Sequence, residues 1–414
     1  MFRKNFFQMV IAPSIFVCAA TICHEQLSKA ALPKKKILIF TSPGGGGHMS
    51  ATRAIQEYIG DDYEISTSFI FQEVLGSFDP ISTITFGYSN GEKTYNYFIT
   101  KKFYRILNAI GSIGSWCHSS WHASITKKII HFLDEKKPDM VISVVPFVNN
   151  ALLEATHSLD IPFIMLPTDL DVRTFIGNIK NPDYSKFHLI LGLHDEEVLE
   201  QVNKAEIPAD QITIGGFPLR SDFLHKKNNI RALKKEFNVP QDKPVLMIMM
   251  GAAGSNSIYK FVKQLSTVQE PLHLIVVLGR NEQIRARIES IPLPPSISMT
   301  ILGFTNRIAD LMAISNLCLT KSGSVSFCEA LYSEVPILLD ATTHSIRWER
   351  FNHHFTEKYF VGYVVKRYDA LPQLLEQLLQ NPQIIDRMKQ NLHTIEKRQL
   401  DKNIKPIIQR LLKA

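Results

Sequence analysis

Ten short apolar runs, each ending in a polar loop, restrict this chain more than any other feature of its sequence. KILIF (36–40), MVISVV (140–145), FIMLP (163–167), FHLILG (187–192) and QITIGG (211–216) form a first set. PVLMIMMG (244–251), LHLIVVLG (272–279), SMTILG (298–303), NLCLTK (316–321) and VPILLD (335–340) form a second, after a polar, basic interval from Arg220 to Asn238. Runs without polar alternation suit strands covered on both faces, and strands that alternate with helices build parallel sheets with right-handed crossovers. Helical periodicity falls over 50–59, 122–135 and 195–204, and over two or three helices between Leu371 and Leu412. The pattern predicts an α/β chain of two doubly wound, Rossmann-like domains with a seam near 217–240, and 414 residues suffice for two cores of ordinary size.

Composition works mainly by exclusion. The five cysteines (Cys18, Cys23, Cys117, Cys318, Cys328) are odd in number and dispersed, without a C-x-x-C pair or zinc spacing, which points to reduced thiols. Lys and Arg total 46 against 39 acids, a net charge of +7 that suits an anionic partner. No basic block with interleaved aromatics marks a nucleic-acid surface, so an anionic membrane surface is the expected partner. Residues 1–33 have a basic start, an apolar run from Met9 to Ile22 and no acid before Glu25. That is the outline of an export signal or of an uncleaved membrane-anchoring segment, and the run is short of the roughly 20 residues a spanning helix needs.

In open α/β sheets, ligands bind beyond the carboxyl ends of the strands, so the loops after the apolar runs carry the chemistry. After KILIF comes TSPGGGGHMSA (41–51), which lacks the G-K-[ST] of a Walker loop and the third glycine of a dinucleotide fingerprint. Gly46 and Gly47 permit close backbone approach to a ligand, and His48 falls at a helix start, where the macrodipole disfavours imidazolium. His48 fits either a neutral general base or a histidine that caps a flexible turn. MMGAAGSNS (249–257) sets Gly251, Gly254, Ser255 and Asn256 between a strand and a helix, as an anion-binding turn or a plain one. LTKSGSVSFCEAL (319–331) ends a strand at Lys321 and turns through Ser322, Gly323 and Ser324. Glu329 follows on the next helix, placed either to accept ribose hydroxyls or to face solvent. In THSIRWERFNHHF (343–355), Glu349 and Asn352 are three apart and share a helix face suited to sugar hydroxyls. His353 and His354 are adjacent rather than four apart, which disfavours a metal site. TDLDV (168–172) contains a D-x-D, but short acidic patterns are common; Asp169 is expected as a cleft residue and no metal is assigned.

Taken together, residues 36–365 resemble the monogalactosyldiacylglycerol synthases and processive diacylglycerol glucosyltransferases, which share the GT-B fold with the N-acetylglucosaminyltransferase of peptidoglycan lipid intermediates. PGGGGHMSATRAI looks like the family's glycine-rich loop and implies His48 as the acceptor-side base, with Gly46, Gly47 and Asp169 beside the acceptor. PTDLDVRTF is similar to its TD segment, with Arg173 where the family has histidine, and IGGFPLRSDF (214–223) is similar to its linker, which brings in Arg220. MGAAGSN resembles the donor-phosphate loop, and TKSGSVSFCEA the motif whose acid binds the uridine ribose, so Glu329 inherits that role. Glu349 and Asn352 match the E-x-x-N of the donor-sugar loop, but Trp348 stands where the family often has glutamine.

The resemblance implies an inverting hexosyltransferase that joins a UDP-sugar to a diacylglycerol-type hydroxyl at the cytoplasmic face of a membrane, with no cofactor besides that co-substrate. The expected division is a signal-like or membrane-anchoring segment at 1–33, an acceptor domain at 34–218, a UDP-sugar domain at 239–380 and C-terminal helices at 381–414. The stretch 94–122, with Lys101, Lys102 and Arg105, is expected either at the lipid interface or as a buried helix pair. Competing readings are N-acetylglucosamine transfer to a lipid-linked peptidoglycan precursor, UDP-N-acetylglucosamine 2-epimerisation, and nucleotide-sugar binding without catalysis.

Overall fold

The structure, a computed structural model, describes residues 33–43, 46–76, 94, 97, 103, 121–225, 227, 229–343 and 346–414. Its first six strands are β1 (Lys36–Thr41), β2 (Glu64–Phe69), β3 (Met140–Ser143), β4 (Phe163–Met165), β5 (Phe187–Leu191) and β6 (Ile212–Ile214). They form one sheet in the order β2-β1-β3-β4-β5-β6, every pair parallel. The next six are β7 (Val245–Met249), β8 (Leu272–Val277), β9 (Ile297–Leu302), β10 (Leu317–Lys321), β11 (Ile337–Asp340) and β12 (Gly362–Val365). These form a second parallel sheet, β12-β11-β10-β7-β8-β9.

Each apolar run singled out in the sequence is a strand, and β2 and β12 are additions. Both are edge strands; β2, EISTSF, is mostly exposed and needs no continuous apolar run, whereas β12, GYVV, is apolar but only four residues long and half-buried. Interior strands are buried along most or all of their length, wholly so in β3 and β5. Each Ile, Leu or Phe so enclosed contributes about 1.5–3 kcal/mol relative to exposure. The N-terminal segment before Pro33 lies outside the described residues, as does the interfacial stretch except for Thr94, Tyr97, Phe103, Trp121 and His122. No helix among the described residues is long and apolar enough to cross a membrane.

Residues Lys36–Ala414 are one compact unit, because the chain passes between the two sheets twice and the passages touch. Gly216 has φ +112°, and a Cβ there would lie 2.2 Å from the Arg398 carbonyl oxygen, so only glycine lets the outgoing and returning backbones cross. Tyr332 ties the crossing: its hydroxyl accepts from the Phe217 N–H at 3.0 Å and donates to the Arg398 carbonyl at 2.9 Å. The three terminal helices are Leu371–Gln380, Pro382–Thr394 and Leu400–Leu411. The last returns to the first sheet's lobe, where Asn403 donates to the Gly215 carbonyl at 2.8 Å, Arg410 to His188 at 2.9 Å, and Lys405 pairs with Asp62 at 2.7 Å.

Candidate active site

The loop after β1 turns at Gly46, with φ +81°, and enters the helix Gly47–Ile59. His48 is thus the helix's second residue, and its ring is fixed from the residue that follows β3: Nδ1–H donates to the Val144 carbonyl at 2.8 Å. A carbonyl can only accept, so the proton resides on Nδ1 and the lone pair on Nε2. Thr168 completes the arrangement, its hydroxyl donating to the same carbonyl at 3.3 Å while its oxygen lies 2.9 Å from Nδ1. Burial pulls the imidazole down from 6.5 to about 4, against the opposing pull of the Val144 carbonyl. The neutral state anticipated from the helix start is therefore present, with burial as its largest cause. Thr168 carries no sequence signal of its own, since its place beside the imidazole comes from a contact 120 residues away in the chain.

The loop after β10 supplies the other half. Lys321 ends the strand between two glycines that leave it room: a Cβ on Gly251, itself at φ +71°, or on Gly323 would lie 3.0 Å from the lysine Cε. Lys321 is the cation that opposes the upward shift of three carboxyls, Asp169, Glu329 and Glu349. Burial raises Glu329 to about 7 in spite of Arg220 and Lys321, and it raises Glu349 as well. Glu329 is buried in the helix Ser324–Tyr332, and no described residue hydrogen-bonds its carboxylate. The first N–H groups of that helix have no intrahelical acceptor, so its start, beside the Lys321 ammonium, offers an anion both hydrogen bonds and positive potential.

The two halves meet. Ser324 donates to Asp169 Oδ1 at 2.9 Å from one lobe to the other, and a Cβ on Gly47 would be 3.2 Å from Val325 Cγ2. Burial carries Asp169 to about 7, with the Ser324 hydroxyl the largest opposing influence and Glu349 and Asp171 adding to the rise. A second bridge lies farther along: the buried Asp195 accepts from the Tyr359 hydroxyl at 2.7 Å and from Lys358 at 3.1 Å while capping the helix Glu196–Lys204. A third is aromatic, the rings of Phe147 and Trp348 meeting at 6.0 Å and 75°.

Several residues expected at the ligand are occupied otherwise. Asn352 is fully buried, and its amide donates to the Ser322 carbonyl at 2.7 Å and to Ser324 Oγ at 3.3 Å; it braces the Ser322–Ser324 turn from beneath instead of facing the cleft. Ser322 also points inward, donating to the Asp340 carbonyl at 3.2 Å and lying 2.5 Å from His353 Nε2. The Gly254 N–H is spent on the Gly251 carbonyl at 3.1 Å. Ser255 accepts from the Ser257 N–H at the head of the next helix, and Asn256 from Asn281. Arg220 donates to the Asn306 carbonyl at 2.9 Å and stacks on Phe223. His48, Asp169, Lys321, Gly323, Ser324, Glu329 and Glu349 remain as the set that the fold gathers.

Comparison with known proteins matches the same two halves. Residues 48–219 match the monogalactosyldiacylglycerol (MGDG) synthase family, and residues 245–409 the C-terminal domain of glycosyltransferase family 28. The processive diacylglycerol beta-glucosyltransferase of Bacillus subtilis (strain 168) is 24% identical over 370 residues, 86% of this chain and 90% of that protein. The chloroplastic monogalactosyldiacylglycerol synthase of Spinacia oleracea is 25% identical over 324 residues, 74% of this chain and 59% of that one. Among solved structures, MurG of Acinetobacter baumannii aligns with a TM-score of 0.58 at 13% identity, over 91% of this chain and 100% of its own. The calicheamicin glycosyltransferase CalG4 aligns at 0.57 and 14%, over 92% and 99%.

Proposed function

We propose that this chain, whose first lobe matches the monogalactosyldiacylglycerol synthase family and whose second matches the C-terminal domain of glycosyltransferase family 28, transfers a hexose from a UDP-sugar to the free hydroxyl of a diacylglycerol. The observation that supports this reading is the approach of the Gly47–His48 turn to Val325 on the Ser324–Tyr332 helix, which brings the carbonyl-held imidazole close to a helix start suited to an anion. In the proposed step His48 Nε2 takes the acceptor proton as the hydroxyl oxygen attacks the anomeric carbon. The bond from that carbon to the diphosphate oxygen breaks, and UDP departs with the electron pair. Attack from the side opposite the leaving group inverts the anomeric centre. Lys321 and the N–H groups at 323–325 receive the charge that develops on the diphosphate, Glu329 accepts the ribose hydroxyls, and Glu349 faces the sugar.

The named relatives act on diacylglycerol, and a lipid acceptor implies peripheral association with a membrane, its cytoplasmic face being where nucleotide sugars occur. The test is expression in a host without glycolipids, followed by mass analysis of the extracted lipids and NMR of the new linkage. Hexosyl-diacylglycerol with a β linkage from an α-linked donor is the expected product. An N-acetylhexosamine on a peptidoglycan precursor would replace this reading with its nearest rival, and an α linkage would remove the inversion.

A further inference from the structure

Trp348, where the donor-side loop departs from the family pattern, sits on the single turn Arg347–Glu349. Its ring meets that of Phe147 edge to face across the two lobes, and both residues are half-buried. Phe147 has φ +70°, a left-handed conformation that bulky residues seldom adopt, and is held there by its N–H donating to the Thr174 carbonyl at 2.8 Å. Their chain neighbours define what lies beside the pair. Three residues before Phe147 is Val144, whose carbonyl orients His48. The residue after Trp348 is Glu349, whose Oε1 lies 3.4 Å from where a Gly323 Cβ would be. The rings thus belong to the two segments that carry the base and the sugar-side acid.

A hexopyranose presents a face of C–H bonds and a rim of hydroxyls, and an aromatic ring beside a carboxylate complements both. Building on the transfer reaction proposed above, we infer that Phe147 and Trp348 form a stacking platform for the hexose of the nucleotide sugar. Trp348 then sets how strongly the site prefers a hexosyl nucleotide over the bare nucleotide. A ring pair that only fastened the lobes would act on both ligands equally, whereas a platform acts only on the ligand that carries the sugar.

Calorimetric titration of UDP, UDP-glucose and UDP-galactose into the full-length protein separates these cases. Trp348→Leu keeps apolar bulk without an aromatic face, Trp348→Phe keeps the face, and thermal melts verify that each variant is folded. Trp348→Leu is expected to weaken the better-bound UDP-hexose by roughly 3- to 10-fold while UDP itself stays within about 2-fold, and Trp348→Phe to recover most of the loss. Phe147→Leu should reproduce the pattern should Trp348→Leu not fold. Equal weakening of UDP and UDP-hexose, or no change in either, overturns the platform alone. A wild-type protein that binds no uridine nucleotide overturns the functional reading and the platform together.

Discussion

His48 and Glu329 shift in opposite directions for one reason: burial strips water from whichever form is charged, so the imidazole falls to about 4 and the carboxyl rises to about 7. For His48 the consequence is direct. In ¹⁵N-histidine NMR its ring should stay neutral down to pH 5 and titrate near 4, with the proton on Nδ1; a midpoint near 6.5 would contradict the half-buried, carbonyl-bound ring. For Glu329 the consequence is a conflict between stability and binding. Its native carboxyl keeps a proton up to about 7 while an unfolded glutamate releases it near 4.5, so the native state loses stability as the pH rises through that window. Glu329→Gln should therefore stabilise the fold at pH 8 by roughly 1–3 kcal/mol, with the gain fading as the pH falls from 7 and gone below about 4.5, while UDP affinity drops. Denaturant titrations at pH 4, 6 and 8 measure the first effect and calorimetry the second; a gain independent of pH would mean that the carboxyl is not the strained group.

The helix Arg350–Lys358 acts at both ends, bracing the Ser322–Ser324 turn through Asn352 and joining the opposite lobe through Lys358 and the neighbouring Tyr359. Asn352→Ala should cost about 2–3 kcal/mol in urea denaturation, because it leaves the Ser322 carbonyl without its donor, and should weaken UDP binding as the turn relaxes. A loss of stability with unchanged UDP affinity would separate the turn from the nucleotide site. Interior strands such as β3 and β5 were legible in the sequence because burial on both faces demands uninterrupted apolar residues. The edge strand β2, EISTSF, was not, since a mostly exposed edge imposes no such run. Glu349 and Asn352 do share a face, as their spacing predicts, but that face abuts the Ser322–Ser324 turn, and the turn absorbs the amide. Spacing gives the face of a helix; what covers the face is decided by the strands packed against it. Thr168 and Phe147 were out of reach for the same reason, each defined by a partner more than a hundred residues away.

At the scale of the molecule, the lobes touch through Asp169 with Ser324, Phe147 with Trp348, and Asp195 with Lys358 and Tyr359. Asp195→Ala should lower stability by about 2 kcal/mol, since the Tyr359 hydroxyl, the Lys358 ammonium and the Glu197 N–H all lose their acceptor. A variant as stable as wild type in calorimetric melts would show that the lobes do not depend on that bridge. The proposed division of labour between the lobes, base in the first and donor in the second, is tested most directly by His48→Ala, with hexose transfer to diacylglycerol and UDP affinity measured on the same preparation. Turnover reduced by about 10²- to 10⁴-fold with UDP affinity within about 2-fold of wild type is the expected result; unchanged turnover, or UDP binding lost along with it, would contradict that division.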